Sequence, residues 1–257
     1  MGYDHYRIKS NARLFYKNNA GSSILTGIFR IAAVLIILVV WLLVLAAVNF
    51  VMSLIAPGRA RIGADAINYT TIILYMLFEA VTWILAMCSV MLVNMGIMNW
   101  FRMSIFEKVS TDSIFIPFRK DRIIGNCGTC LLMSLYIILW SLLLYIPGII
   151  KSYSYSQTLY IRAENPNISP SRAIELSKII MDGHKGQLFY LHLSFIGWFI
   201  LSGLTWNILG IVYVIPYFSA ALAFAYEEVK ADAAARGIID IREINPNIEM
   251  REFYPEM

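Results

Sequence analysis

Long apolar runs alternate with short polar ones along this chain, and the lengths of the apolar runs decide its class. Apolar stretches cover residues 28–55 and 70–99, with shorter ones at 129–146, 188–204 and 208–226. About 20 residues of helix cross a hydrocarbon core of ~30 Å, and a soluble core does not cover several runs of that length. The pattern predicts an all-α fold, a polytopic transmembrane helix bundle. The 70–99 stretch exceeds the core thickness, so it must tilt or protrude. Pro57-Gly58 ends the first run. Pro147-Gly148 interrupts the third, because proline lacks a backbone donor and clashes with the preceding turn. Residues 3–20 are basic and aromatic with helical spacing, which predicts a helix lying on the bilayer surface.

The stretch 148–161 decides how many times the chain crosses. It is short and carries Lys151, Ser152, Ser154, Ser156 and Gln157. If it crosses, there are six spans, and 18 of the 21 Lys and Arg residues fall on the side of the N-terminus with three opposite. If it does not, there are five spans and the basic residues divide ten to eleven. Positive loops stay in the cytoplasm, so six spans with both termini cytoplasmic is the expectation and five the alternative. A polar segment can return through the membrane when protein rather than lipid surrounds it. The domain plan is one membrane domain over 1–230 and a polar C-terminal tail over 231–257, with a helix stopping at Gly237 and a loose end beyond.

Composition agrees with that placement. Hydrophobic residues make up 59% and charged residues 15%, against roughly 45–50% and about 25% in soluble domains. The net charge of +4 reads as loop bias rather than a nucleic-acid footprint. The basic N-terminus leads into a run too long for a signal-peptide core, so the run reads as an uncleaved anchor. Three cysteines do not suggest a disulfide framework.

Between the membrane runs, Ser169-Pro170 reads as the capped start of a helix over 169–182. Ala173, Leu176, Ile179 and Ile180 form its apolar face, and Arg172, Glu175, Lys178 and Asp182 its wet one. A weak repeat aligns Ala12-Arg13-Leu14-Phe15-Tyr16 and Gly21 with Ser177-Lys178-Ile179-Ile180-Met181 and Gly186. With 100–126 as a middle copy, the chain would hold three units of a surface segment followed by a membrane hairpin.

Candidate chemistry is sparse. Gly183-His184-Lys185-Gly186 would sit at the start of the 188–204 span. Free backbone donors and the helix dipole favour an anion there, and a lipid head group is the natural guest. The plainer reading is a glycine cap with a snorkelling lysine. A span directly after the turn excludes the loop that clamps RNA backbones. Glu79 is the acidic residue well inside an apolar run, on a seam with Thr82, Ala86, Ser89, Val93 and Gly96. It is either a coupling carboxylate or a bonded packing residue. Met87, Met91, Met95 and Met98 read as adaptable packing. Cys127 and Cys130 would stand at a helix N-terminus, where thiols acidify, on the reducing side. His184 and His192 are about 12 Å apart along a helix, too far to share a metal. No nucleophile elbow, zinc-protease, P-loop or dinucleotide motif occurs.

The C-terminal half resembles a bacterial membrane family known only as domain of unknown function 975. The carrying residues are Ile146-Pro147-Gly148-Ile149-Ile150, Ser152-Tyr153-Ser154-Tyr155, Ala173-Ile174 with Ser177, and Met181-Asp182-Gly183-His184-Lys185. Leu193-Ser194-Phe195-Ile196-Gly197-Trp198 and Pro216-Tyr217 before Tyr226-Glu227-Glu228 complete the series. The chain departs from the family at His192 and at Ala163-Glu164, where members carry an acidic residue and an Ala-Asp pair. The resemblance implies a polytopic inner-membrane protein and brings no activity. The expectation is therefore a non-enzymatic integral membrane protein that binds lipid head groups or a partner through residues 183–186 and the 169–182 helix. No cofactor, metal or nucleic acid is expected, and the partners are membrane lipids with a membrane protein or a second copy. The alternative is a small transporter or export component using Glu79 and the polar 148–161 segment.

Overall fold

The computed structural model describes residues 4–55 and 69–246. It is helical throughout, with no strand among the described residues. The chain forms two compact units, one of Ile31–Met91 and one of Met1–Arg30 with Leu92–Met257. Among the described residues, five stretches are long and apolar enough to cross a membrane: Ala20–Val51, Tyr75–Phe106, Lys120–Leu143, Lys185–Leu204 and Gly210–Ala235.

The smaller unit is made of parts of two long helices, α2 (Ala20–Ile55) and α3 (Tyr69–Phe106). They run antiparallel. Trp41 meets Trp83 with ring centroids 4.3 Å apart, and Tyr75 donates to Asn49 Oδ1 at 3.4 Å. The small and polar seam anticipated on α3 lines a cleft of about 300 Å³ here, with Thr82, Ala86 and Ser89 facing Val40 and Trp41. The hydroxyls of Thr82 and Ser89 donate to carbonyls of their own helix, so the groove they line is apolar.

In the larger unit, α4 (Lys120–Leu143) reverses at an extended Leu144 into α5 (Tyr145–Tyr155) and α6 (Thr158–Glu164). The break falls three residues before Pro147. Proline is tolerated in the first turn of a helix, where its missing N–H would have no partner anyway, so it helps start α5 rather than ending α4. A Cβ on Gly148 would lie 2.9 Å from Ser141 Cα, Lys151 Nζ stands 4.5 Å above the Trp140 ring, and Tyr155 is 6.2 Å from Tyr136. Further along, Arg162 Nε donates to Asn126 Oδ1 at 3.1 Å. These pairs advance along α5–α6 as they retreat along α4, so the short polar segment runs back beside the whole of α4. Twenty helical residues cover about 30 Å. Ser152, Ser154 and Ser156 donate to carbonyls three or four residues back, and Ser177 bridges Ser154 O and the Gln157 N–H, while Gln157 Oε1 and Thr158 Oγ1 are buried without a partner.

The N-terminal helix α1 (His5–Asn18) is capped by Asp4 and buries Ile8, Ala12 and Phe15 at helical spacing. It does not present this seam to a bilayer surface. The seam packs along α10 (Ile215–Ala235), with Tyr217 donating to Lys9 O and Tyr16 to Val212 O. The same amphipathic spacing suits either surface, and protein rather than lipid takes it here. The capped helix α7 (Pro170–Ile180) has the anticipated cap, Ser169 accepting from the Arg172 N–H. The last two runs become α8 (Lys185–Leu193), α9 (Ile196–Leu204), a π-helical turn over Gly210–Val214, and α10. Gly237, at φ +65°, ends α10 as anticipated. The expected loose end is not loose through residue 246: α11 (Ile241–Ile244) is capped by Asp240 and buries Ile241 and Ile244. The remaining tail lies outside the described residues.

Candidate functional site at the basic end of the bundle

Charged residues that the sequence spreads from Arg102 to Lys230 meet at one end of the larger unit. The Glu164 carboxylate, at the last residue of α6, is fully buried. It accepts from the Tyr226 hydroxyl at 2.5 Å and from Lys230 Nζ at 3.0 and 3.2 Å, and lies 3.5 Å from Arg102 Nη1. Glu227 approaches Lys230 at 2.7 Å and Arg102 at 4.0 Å. Tyr160 stacks on Tyr226 with centroids 4.6 Å apart and planes at 10°. Two carboxylates and two cations therefore balance inside protein, joining the ends of α3, α6 and α10. A buried charge without such partners would cost several kcal/mol.

Neighbouring contacts gather the other polar segments. Arg162 reaches Asn126 and the Ile168 carbonyl, and Asn126 in turn donates to Pro117 O at 2.9 Å. Gly125 makes room for this guanidinium, since a Cβ there would overlap it. Arg7 Nε donates to Glu228 at 2.9 Å. Arg172 pairs with Glu243 at 2.6 Å and Glu175 at 2.9 Å. The hydrogen bond from Arg172 holds the Glu243 carboxyl below its usual value, and Glu243 with Glu175 raises the guanidinium.

The Gly183-His184-Lys185-Gly186 turn is divided by the fold. Gly183 adopts φ +82° and, with Gly186, is exposed. His184 is 5% exposed, its Nε2 2.9 Å from Asp232 Oδ2 and its Nδ1 2.9 Å from Gln187 Oε1. Arg236 pairs with the same aspartate at 2.8 Å. His184 therefore clamps the turn to α10, and Lys185 is left half-exposed, 3.6 Å from Asp182. Asp232 and Gln187 were not foreseen as its partners.

The other predicted residues stay apart from this end. Glu79 is half-buried in the smaller unit. Cys127 and Cys130 form no disulfide. They sit two turns inside α4, which begins at Lys120 rather than near residue 129, so they do not stand at the helix N-terminus that was expected. His192 Nδ1 donates to Leu188 O of its own helix, and the ring packs against Tyr153 and Phe218. The charge cluster itself was missed because Arg102, Glu164 and Glu227 each stand where an apolar run ends, and read singly they are loop residues. Glu227 and Lys230 on one helix face, after the apolar part of their run, were the available signal.

Long apolar helices whose polar ends are tied together by buried ion pairs define a multi-pass α-helical membrane protein. Its family is equally plain: a family model described as a protein of unknown function (DUF975) matches residues 70–233, and the chain belongs to that family. The match includes Arg102, Glu164, Glu227, Lys230 and the 183–186 turn. No curated protein and no solved structure matches the chain.

Proposed function

We propose that this chain is a non-enzymatic protein of the cell membrane with six crossings and cytoplasmic termini, holding anionic lipid head groups at its basic end. One observation carries this reading. The N-terminal helix, the end of α3, the 162–185 region and the region after α10 are joined by Arg7–Glu228, Arg102–Glu164, Arg172–Glu243 and His184–Asp232 pairs. These four segments hold most of the lysines and arginines, and positive segments stay cytoplasmic. A five-crossing chain would put the α3 end and Glu164 on opposite sides, so their 3.5 Å separation supports the six-crossing reading. The α5–α6 return supplies the extra crossing.

Within that end, exposed Gly183, Gly186 and Lys185 open the α8–α9 span, where helix-start donors and an ammonium suit a phosphate. The transporter alternative draws less support, because the hydroxyls of Ser152, Ser154 and Ser156 in 148–161 all donate to carbonyls within protein. Native mass spectrometry of the detergent-purified protein tests the proposal. Lys185→Ala is expected to lower retention of anionic lipids relative to neutral ones. Unchanged retention would overturn the assignment of this turn.

A further inference from the structure

A polar cleft of about 330 Å³ opens between the junction of α1 with α2 and the last turns of α3. We propose that it binds a phosphate group. One wall is the start of the 36-residue α2, including Gly21 and Ser22. The first bond into this helix is from the Ser23 N–H to Asn19 O at 2.9 Å, so the N–H groups of residues 20–22 precede the ladder and lack an intrahelical acceptor. A long helix presents its positive dipole end there.

The opposite wall supplies independent evidence. Trp100 lines the cleft, is 1% exposed, and its indole N–H has no acceptor. The hydroxyl of Ser104, on the same wall, is likewise buried and unpartnered. Burying such groups unpaired is unfavourable, and an anion oxygen satisfies donors of this kind. Lys108 adds an exposed ammonium, and Glu107 beside it opposes an anion. A Cβ on Gly21 meets nothing within 4 Å, so the backbone is open to a guest. Gly21 is the second residue of α2, as Gly186 is of α8, and the weak sequence repeat aligns these two glycines. The cleft is separate from the 183–186 turn.

The test titrates the full-length protein, in neutral detergent and phosphate-free buffer, with inorganic phosphate, dihexanoyl phosphatidic acid and, as a phosphate-free control, dihexanoyl glycerol. Saturable binding of a phosphate compound and none of the control is expected. Gly21→Leu and Lys108→Gln should each weaken it about tenfold or more, and Glu107→Gln should tighten it severalfold. Comparable binding of both phosphate compounds would identify free phosphate as sufficient, and a strong preference for the lipid would identify a head group; either supports the site. Lys108 and Glu107 are exposed, so their opposite shifts decide the matter even if Gly21→Leu fails to fold. No saturable binding, or wild-type affinity in Lys108→Gln and Glu107→Gln, would overturn the proposal.

Discussion

The Glu164→Gln substitution keeps the shape of a fully buried side chain and removes its charge. In the native protein that carboxylate satisfies Lys230 at 3.0 Å, Arg102 at 3.5 Å and the Tyr226 hydroxyl at 2.5 Å. The amide can still accept from Tyr226. Two cations would then share the single carboxylate of Glu227, which already contacts Lys230 at 2.7 Å and lies 4.0 Å from Arg102. Lys230 is 3% exposed on its side chain and cannot turn to water without unpacking α10. Removing one partner of a buried ion pair typically costs about 3–5 kcal/mol, and the loss here is expected in that range. Lys230→Met should cost a similar amount by itself. The double variant removes one charge of each sign, so its loss should fall short of the sum of the single losses by about 1–3 kcal/mol. Equilibrium unfolding in mixed micelles, followed by tryptophan fluorescence, gives all three values. A loss below about 1 kcal/mol for Glu164→Gln, or strict additivity in the double variant, would refute the idea that this cluster ties the helix ends together.

Three further outcomes are expected. Gly125→Ala should displace the Arg162 guanidinium, break its bonds to Asn126 and Ile168, and cost roughly 1–3 kcal/mol in the same assay, whereas Gly186→Ala, with open space around it, should be nearly neutral. Arg172 depresses the Glu243 carboxyl, so the stability this pair gives is present above the ordinary glutamate value and disappears as pH falls through the lowered one. Both side chains are about a third exposed, which keeps the effect below about 1 kcal/mol; amide protection in α11 should fall on acidification and lose that pH dependence in Arg172→Ala. In a cysteine-free background, a membrane-impermeant maleimide applied outside intact cells should label Tyr145→Cys at the reversal after α4 and spare Asn167→Cys. Labelling of Asn167→Cys from outside would remove the six-crossing topology.

Sequence alone determined that this is an all-helical membrane protein, because apolar runs of such length have no other stable setting than lipid. It also located Ser169 as a cap and Gly237 as a stop, since caps and breakers act through their immediate neighbours. The distribution of lysines and arginines already argued for a returning 148–161 segment. Only the tertiary structure decided how that segment runs, because its register on α4 depends on facing pairs such as Lys151 with Trp140 and Gly148 with Ser141. Likewise, amphipathic spacing in α1 could not choose between bilayer and protein, and the choice rests on the complementary face of α10. His184 and Glu164 show the same limit most directly. Whether a charged or titratable side chain is exposed or buried, and beside what, depends on groups distant in the chain, such as Asp232 48 positions beyond His184 and Lys230 66 beyond Glu164. Local pattern carries the helices, while the pairing of charges at their ends is a property of how those helices pack.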